Sequence, residues 1–133
     1  MKDYLFAYGT LADDTAPPEI AATMKRLKLV GEGFVVGRLY DMGEYPGAVL
    51  GDTGDEKVFG KIFELDDNAA VLDRLDRFEG FDPQRPTTSL FVRTRSAINR
   101  ADRPPLTGWV YEYNGDVKGA PVIKTGRYSK VSV

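Results

Sequence analysis

The fold is decided by the segment Asp3-Tyr-Leu-Phe-Ala-Tyr8, which is followed by Gly9. The segment is a short and nearly continuous run of apolar residues, and such a run is typical of a strand that is buried on both faces. Gly9 has no Cβ, so the chain can turn there at little steric cost. The sequence therefore predicts a doubly buried strand over residues 3–8, which ends at Gly9.

Two helices are predicted from apolar residues that recur with helical spacing. Pro17-Pro18 mark the start of the first helix, whose apolar positions are Ile20, Met24 and Leu27. The second and clearer helix spans residues 67–79, with Asp66 or Asp67 as its cap and Gly80 as its stop. Its apolar face consists of Val71, Leu72, Leu75 and Phe78.

The remainder of the chain predicts strands and turns. Recurring glycines interrupt runs of β-branched and aromatic residues between positions 29 and 65. Two further strands are predicted over 90–98 and 107–114, and Trp109, Tyr111 and Tyr113 share one face of the second. Glycines inside strands often mark bends, so the pattern favours a small and strongly curved sheet.

The composition excludes several classes of chemistry. The 133 residues include neither Cys nor His. Disulfides, thiolate nucleophiles, Cys-ligated metals, Ser-His-Asp relays and imidazole proton shuttles are therefore absent. Acid–base chemistry must use a carboxylate, Lys, Tyr or the substrate itself. Neither a metal nor an organic cofactor is expected.

Charge and hydropathy limit the partners that we expect. The formal net charge is −2, so electrostatics give no reason to expect that the protein binds nucleic acid. No apolar run approaches the roughly 18 residues of a membrane span, and the apolar stretch over residues 4–8 is too short for a signal-peptide core. We therefore expect a cytoplasmic protein that forms a single domain over residues 1–133. The oligomeric state stays open.

Glu79 is the most informative residue of the second helix. At 100° per residue it lies about 40° around the helix axis from Leu75, on the apolar face, whereas Asp73, Arg74 and Arg77 point elsewhere and Asp76 falls near the boundary. Burial and the negative end of the helix dipole both disfavour an ionised carboxylate, which raises its pKa toward neutral pH. The alternative interpretation is a helix-end glutamate that reaches solvent or pairs with an arginine.

Three further features are candidates for binding. In Tyr8-Gly-Thr-Leu11 the strand breaks into a loop whose N–H groups can hold an anion, although a plain strand-ending turn is the alternative. The segment Gly43-Glu-Tyr-Pro-Gly47 is interpreted mainly as a hairpin turn that carries an aromatic side chain. Arg93 and Arg95 share one strand face, where they can attract a carboxylate substrate or, as such residues do more often, form surface ion pairs that contribute little.

Several blocks occur together in one order along the chain. They are Leu5-Phe-Ala-Tyr-Gly-Thr-Leu11, Gly37-Arg-Leu-Tyr-Asp-Met-Gly-Glu-Tyr-Pro46, Gly60-Lys-Ile-Phe-Glu-Leu65, Leu72-Asp-Arg-Leu-Asp-Arg-Phe-Glu-Gly80 and Gly108-Trp-Val-Tyr-Glu-Tyr113. This ordered set resembles the gamma-glutamylcyclotransferase-like family, which includes the AIG2-like proteins. The resemblance implies an α+β fold, a small and mostly antiparallel or mixed β-barrel with flanking helices.

The resemblance also implies a site and a reaction. Tyr8, Gly9, Thr10 and Leu11 match the substrate-binding loop of the family, Glu79 matches its catalytic acid/base, and Tyr128 is a loose match to a late aromatic residue of the pocket. The implied reaction cyclises a small γ-glutamyl amine or peptide to 5-oxoproline and releases an amine. One departure is Phe91-Val-Arg93, where the family has a Y-x-R strand. The alternative function is a non-catalytic protein that keeps the cavity and binds a small molecule.

Overall fold

The doubly buried segment forms β1 (Asp3–Ala7) of a six-stranded sheet in a computed structural model, which describes residues 3–9, 17–51, 54–65 and 69–128. The other strands are β2 (Lys28–Asp41), β3 (Pro46–Leu50), β4 (Lys57–Leu65), β5 (Phe91–Ile98) and β6 (Leu106–Tyr113). Their order is β3-β2-β4-β1-β6-β5, and only β1 and β6 pair in parallel within the described residues.

The sheet curls into a half-barrel because β2 is long and serves two neighbours. Residues 28–36 of β2 pair with β4, and residues 37–41 pair with β3. Phe34 of β2 and Asn99 exchange both backbone hydrogen bonds at 2.9 and 2.8 Å, which brings the end of β5 across to β2. A Cβ on Gly33 would lie 2.4 Å from the Asn99 carbonyl oxygen, so a glycine permits this close approach. The predicted curved sheet of mixed strands is confirmed.

Two α-helices lie in the described part of the chain, α1 (Pro18–Lys25) and α2 (Ala69–Glu79). They pack with Leu5 and Ala7 of β1 in one hydrophobic core. Phe6 and Tyr8 point to the opposite face of β1, into a second core within the curl. Alternate residues of β1 therefore enter different cores, which is why almost the whole segment is apolar.

The element boundaries differ in places from the sequence-based prediction. β2 is one long strand that includes Gly31, Gly33 and Gly37, and its register with β4 shifts between Leu29 and Gly31, an irregularity that fits the bends expected at glycines inside strands. The second helix ends at Glu79 as predicted, while its predicted caps, Asp66 and Asp67, lie outside the described residues. In the described ranges, no helix is long and apolar enough to cross a membrane.

Candidate active site

A cavity of about 170 Å³ lies beside the carboxyl ends of the parallel strands β1 and β6. Its described lining comes from β1 and the residues after it, the β2–β3 turn, the end of α2, and the neighbouring strands: Phe6, Ala7, Tyr8, Gly9, Tyr45, Pro46, Phe78, Glu79, Leu90, Phe91 and Tyr111. β1 and β6 pair at Leu5–Trp109 and Phe6–Val110. Beyond these two pairs, the side chain of Tyr8, which directly follows β1, forms a hydrogen bond to β6.

Tyr8 is a buried tyrosine directly after β1, and its hydroxyl forms hydrogen bonds to β6 and β3. The hydroxyl donates a short hydrogen bond to the Tyr111 carbonyl oxygen of β6 and accepts one of 3.2 Å from the Ala48 N–H of β3. Burial raises the pKa of Tyr8, and the nearby Glu79 and Glu112 carboxylates act in the same direction. Tyr8 is therefore a neutral and fully hydrogen-bonded wall of the cavity, adjacent to Gly9.

The end of α2 places Glu79 at the cavity. Gly80 follows with a φ of +71°, the left-handed conformation that favours glycine. The Gly80 N–H donates to the Arg77 carbonyl at 3.2 Å, and the Phe81 N–H donates to the Asp76 carbonyl at 2.8 Å. These two bonds form a Schellman motif, which ends the helix directly after Glu79.

Glu79 lines the cavity with a partly buried side chain. Removal of its carboxyl from water raises the pKa of Glu79 to about 7. The ion pairs found within the described residues are Arg38–Glu56, Arg93–Asp76 and Arg95–Asp3, so no described arginine pairs with Glu79. A carboxyl with this pKa and no cationic partner there can both accept and donate a proton at neutral pH.

Asp76, one helical turn before Glu79, anchors the end of α2 to the sheet. Its Oδ1 accepts hydrogen bonds from Arg93 Nε at 2.9 Å and from the Tyr111 hydroxyl at 2.7 Å. The Arg93 guanidinium lies over the Trp109 ring, 4.4 Å from its centroid. The sequence placed Asp76 near the boundary of the apolar face, and in the structure the residue is only 3% exposed, because an arginine and a tyrosine from the sheet satisfy its carboxylate.

The two candidate arginines of β5 are engaged in ion pairs. Arg93 pairs with Asp76, and Arg95 Nη1 lies 2.7 Å from Asp3 Oδ1. The interpretation as a surface ion pair holds for Arg95, whose pair with Asp3 is partly exposed, but not for Arg93, whose pair with Asp76 is buried. Neither arginine is among the described residues that line the cavity.

The turn between β2 and β3 has two functions. Gly43 has a φ of +96°, and the Met42 N–H donates to the Tyr45 carbonyl at 3.0 Å. The segment is therefore a hairpin turn between the antiparallel strands β2 and β3, as predicted. The same turn places Tyr45 and Pro46 in the cavity wall. Tyr45 contacts Phe91 and Tyr113, with ring centroids 5.8 and 6.4 Å away. The sequence signalled this wall only through an aromatic residue in a turn.

The structure brings together three of the residues that the sequence singled out. Tyr8, Gly9 and Glu79, which are far apart in the chain, line one cavity, whereas Thr10 and Leu11 lie outside the described residues. Tyr128 is not among the described lining residues and packs instead against the core that contains Phe6. Over the described ranges, no group of three or more His, Cys, Asp or Glu side chains is arranged to hold a metal ion.

Comparison with known proteins agrees with this fold. The family model described as gamma-glutamyl cyclotransferase, AIG2-like, matches residues 5–130, and the chain belongs to this family. No curated protein matches it.

Three solved structures illustrate how the fold is shared. A mouse AIG2-like protein superimposes with a TM-score of 0.71 at 20% identity, over 96% of this chain and 88% of that one. The ytfP protein of Escherichia coli gives 0.62 at 24% identity, over 98% and 97% of the two chains. A structure named gamma-glutamyl cyclotransferase gives 0.59 at 14% identity, over 85% and 67%. These identities are low, so the likeness shows the fold alone.

Proposed function

We propose that this protein is a γ-glutamyl cyclotransferase in which Glu79 is the general acid/base. The substrate is a small γ-glutamyl amine or peptide, and the products are 5-oxoproline and a free amine. The observation that carries the proposal is one cavity that holds both the Glu79 carboxyl, with a pKa near neutral, and the Tyr8–Gly9 segment. Membership of the family supports the same reaction.

The reaction supplies its own nucleophile, which fits a chain without Cys or His. The α-nitrogen of the substrate attacks its γ-carbonyl carbon, a five-membered lactam closes, and the bond from that carbon to the leaving nitrogen breaks. Intramolecular attack replaces a covalent enzyme intermediate, because well-oriented groups reach effective molarities of about 10⁵ M or more. The protein has to orient the substrate and move protons.

Proton transfer is the task that we assign to Glu79. The α-ammonium loses two protons in forming the lactam N–H, and the leaving amine gains two in becoming an ammonium ion. As a carboxylate, Glu79 accepts the first proton and thereby frees the attacking amine. As an acid it then delivers that proton to the departing nitrogen, and the second proton follows the same route. A carboxyl with a pKa of about 7 suits both directions of transfer.

The residues after β1 are assigned to substrate binding. Gly9 lines the cavity, and a Cβ at this position would lie 3.2 Å from Pro46 Cγ, so a larger residue would crowd the wall. We propose that backbone N–H groups of Gly9, Thr10 and Leu11 hold the oxyanion or the α-carboxylate of the substrate. Tyr8, held by Tyr111 and Ala48, orients the start of this loop.

Formation of 5-oxoproline from a panel of γ-glutamyl amines and dipeptides tests the proposal. Glu79→Gln keeps the shape of the side chain but cannot carry a proton, so we expect kcat to fall by roughly 10²–10⁴. Asp73→Asn is the matched control, because it removes a carboxylate from the exposed face of the same helix. Unchanged turnover in Glu79→Gln would exclude Glu79 from the mechanism. Thermal stabilisation by these compounds without turnover would instead support a binding protein.

A further inference from the structure

We propose that the cavity contains an apolar subsite for the leaving amine, formed by Tyr45, Pro46, Phe78, Leu90 and Phe91, and that the preferred substrates are γ-glutamyl derivatives of uncharged, apolar amines. The inference rests on the proposed function, since it divides the same cavity into two parts. The γ-glutamyl part of the substrate lies at Glu79 and the Tyr8–Gly9 segment. The amine lies against the remaining wall.

The charge of the lining supports this assignment. Among the lining residues that the structure describes, Glu79 is the only one with an ionisable side chain other than tyrosine. The γ-glutamyl group itself brings an ammonium that faces Glu79. A charged leaving amine would then lose its hydration against a wall that offers no second charge in the described residues, and such uncompensated burial is costly.

Two of the three tyrosine hydroxyls of the described cavity lining, those of Tyr8 and Tyr111, are already hydrogen-bonded to the protein. The Tyr8 hydroxyl is held by Tyr111 and Ala48, and the Tyr111 hydroxyl donates to Asp76. The Tyr45 hydroxyl lies beside that of Tyr113, and burial together with this neighbour raises the pKa of Tyr45. The Tyr8 and Tyr111 hydroxyls are therefore not free to bind a ligand, and the other described walls are mainly ring faces and apolar edges.

Leu90 extends this apolar wall to the mouth of the cavity. Its side chain is 45% exposed, and only Leu90 and Leu29 are large apolar residues left exposed in the described ranges. The backbone of Leu90 is held at both sides, because its N–H donates to the Gly80 carbonyl at 3.0 Å and its carbonyl accepts from the Asn114 N–H at 3.0 Å. An apolar amine in the cavity would cover this leucine, which is a favourable burial.

Matched substrates separate apolarity from size. The γ-glutamyl derivatives of n-butylamine and of 1,3-diaminopropane are equal in length and differ in a terminal methyl against a terminal ammonium. We expect kcat/KM to be at least about tenfold higher for the butylamine derivative. The second ammonium makes diaminopropane the less basic leaving group, so a preference for butylamine cannot come from leaving-group chemistry. The γ-glutamyl derivative of β-alanine is the third substrate of the series, similar in length but with a negatively charged carboxylate at its end.

Leu90→Ser tests the location of the subsite. We expect the ratio of kcat/KM for butylamine to that for diaminopropane to fall by about threefold or more, because apolar contact at the mouth is lost. Leu29→Ser is the matched control, since Leu29 is 52% exposed on β2 and is not a described lining residue. A ratio that stays unchanged in Leu90→Ser, or that falls equally in Leu29→Ser, would overturn the assignment of Leu90.

Binding to Glu79→Gln keeps the inference separate from the catalytic proposal. Calorimetry with this variant compares the affinities of the butylamine and diaminopropane derivatives, since its turnover is expected to be slower by roughly 10²–10⁴. Tighter binding of the butylamine derivative supports the apolar subsite even if the wild-type protein forms no 5-oxoproline, an outcome that would overturn the proposed function alone. Equal or tighter binding of the charged derivatives, or their faster turnover, overturns the apolar subsite and leaves the cyclotransferase proposal standing.

Discussion

The Asp76 carboxylate on α2 and the Arg93 guanidinium on β5 form a buried ion pair, with Nε 2.9 Å from Oδ1 and Nη2 3.3 Å from Oδ2. The pair connects the last turn of α2 to the sheet, and the Tyr111 hydroxyl joins it from β6. Glu79 follows Asp76 by three residues, so the contact that holds the helix end also determines where the candidate catalytic carboxyl lies.

Removal of Asp76 is expected to destabilise the fold strongly. In Asp76→Ala, Arg93 and the Tyr111 hydroxyl lose their shared acceptor in a site with little solvent, and breaking a buried pair typically costs about 3–5 kcal/mol. Chemical denaturation measures the free energy of unfolding. Glu56→Ala is the control, because the Arg38–Glu56 pair is about half exposed on both sides and exposed pairs contribute little to stability. Similar losses in the two variants would contradict a structural role for the buried pair.

Glu79→Gln is expected to change how stability depends on pH. The folded-state pKa of Glu79 is about 7, above the ordinary value of 4.5, so the native protein holds this proton more tightly than the unfolded chain does. The wild-type free energy of unfolding therefore loses a contribution as pH rises from 4.5 to about 7, and the loss is complete above that range. The full shift corresponds to roughly 3 kcal/mol.

Denaturation of wild type and Glu79→Gln across this pH range measures the effect. The variant carries no titrating group at position 79, so its stability relative to wild type should grow as pH rises and then stay constant. A relative stability that is independent of pH would show that the carboxyl is not buried in the free protein.

The pH dependence of kcat/KM should also report the titration of Glu79. If Glu79 accepts the first proton, the carboxylate is the active form of the free enzyme, and kcat/KM should fall as pH drops below about 7. Initial rates of 5-oxoproline formation measure this acidic limb. A limb near the ordinary glutamate pKa, or none at all, would contradict the assignment.

Gly80→Ala tests the stop of the helix. The residue has a φ of +71°, and its new Cβ would lie 3.3 Å from the Leu90 Cβ, so we expect a loss of about 1–2 kcal/mol in stability together with lower activity. Gly119→Ala is the control, with a φ of +83° and no heavy atom within 4 Å of the added Cβ. Both variants carry the conformational strain, but only Gly80→Ala should impair turnover, because only Gly80 adjoins Glu79 and the cavity.

Much of the fold follows from local patterns. The run of apolar residues in β1 reflects the burial of both faces of that strand. The glycine after α2 reflects the left-handed conformation of the residue at the helix end. Helical spacing also placed Glu79 on the inner face. The burial of Asp76 could not be predicted in this way, because its partners Arg93 and Tyr111 are 17 and 35 residues away.

The candidate site can be divided in the same way into what local sequence suggests and what it does not. Local sequence marks Glu79 and the Tyr8–Gly9 turn as candidates, since each stands at the end of its own helix or strand, and the family resemblance suggests their roles. The sequence predicted the direction of the Glu79 pKa shift from the position of Glu79 on the helix. The meeting of these residues in one cavity, the aromatic wall that Tyr45 and Phe91 add, and the extent to which the Glu79 carboxyl is buried arise only from tertiary structure. The physical reason is that the exclusion of water from a carboxyl depends on every element packed around it, and these elements come from distant parts of the chain.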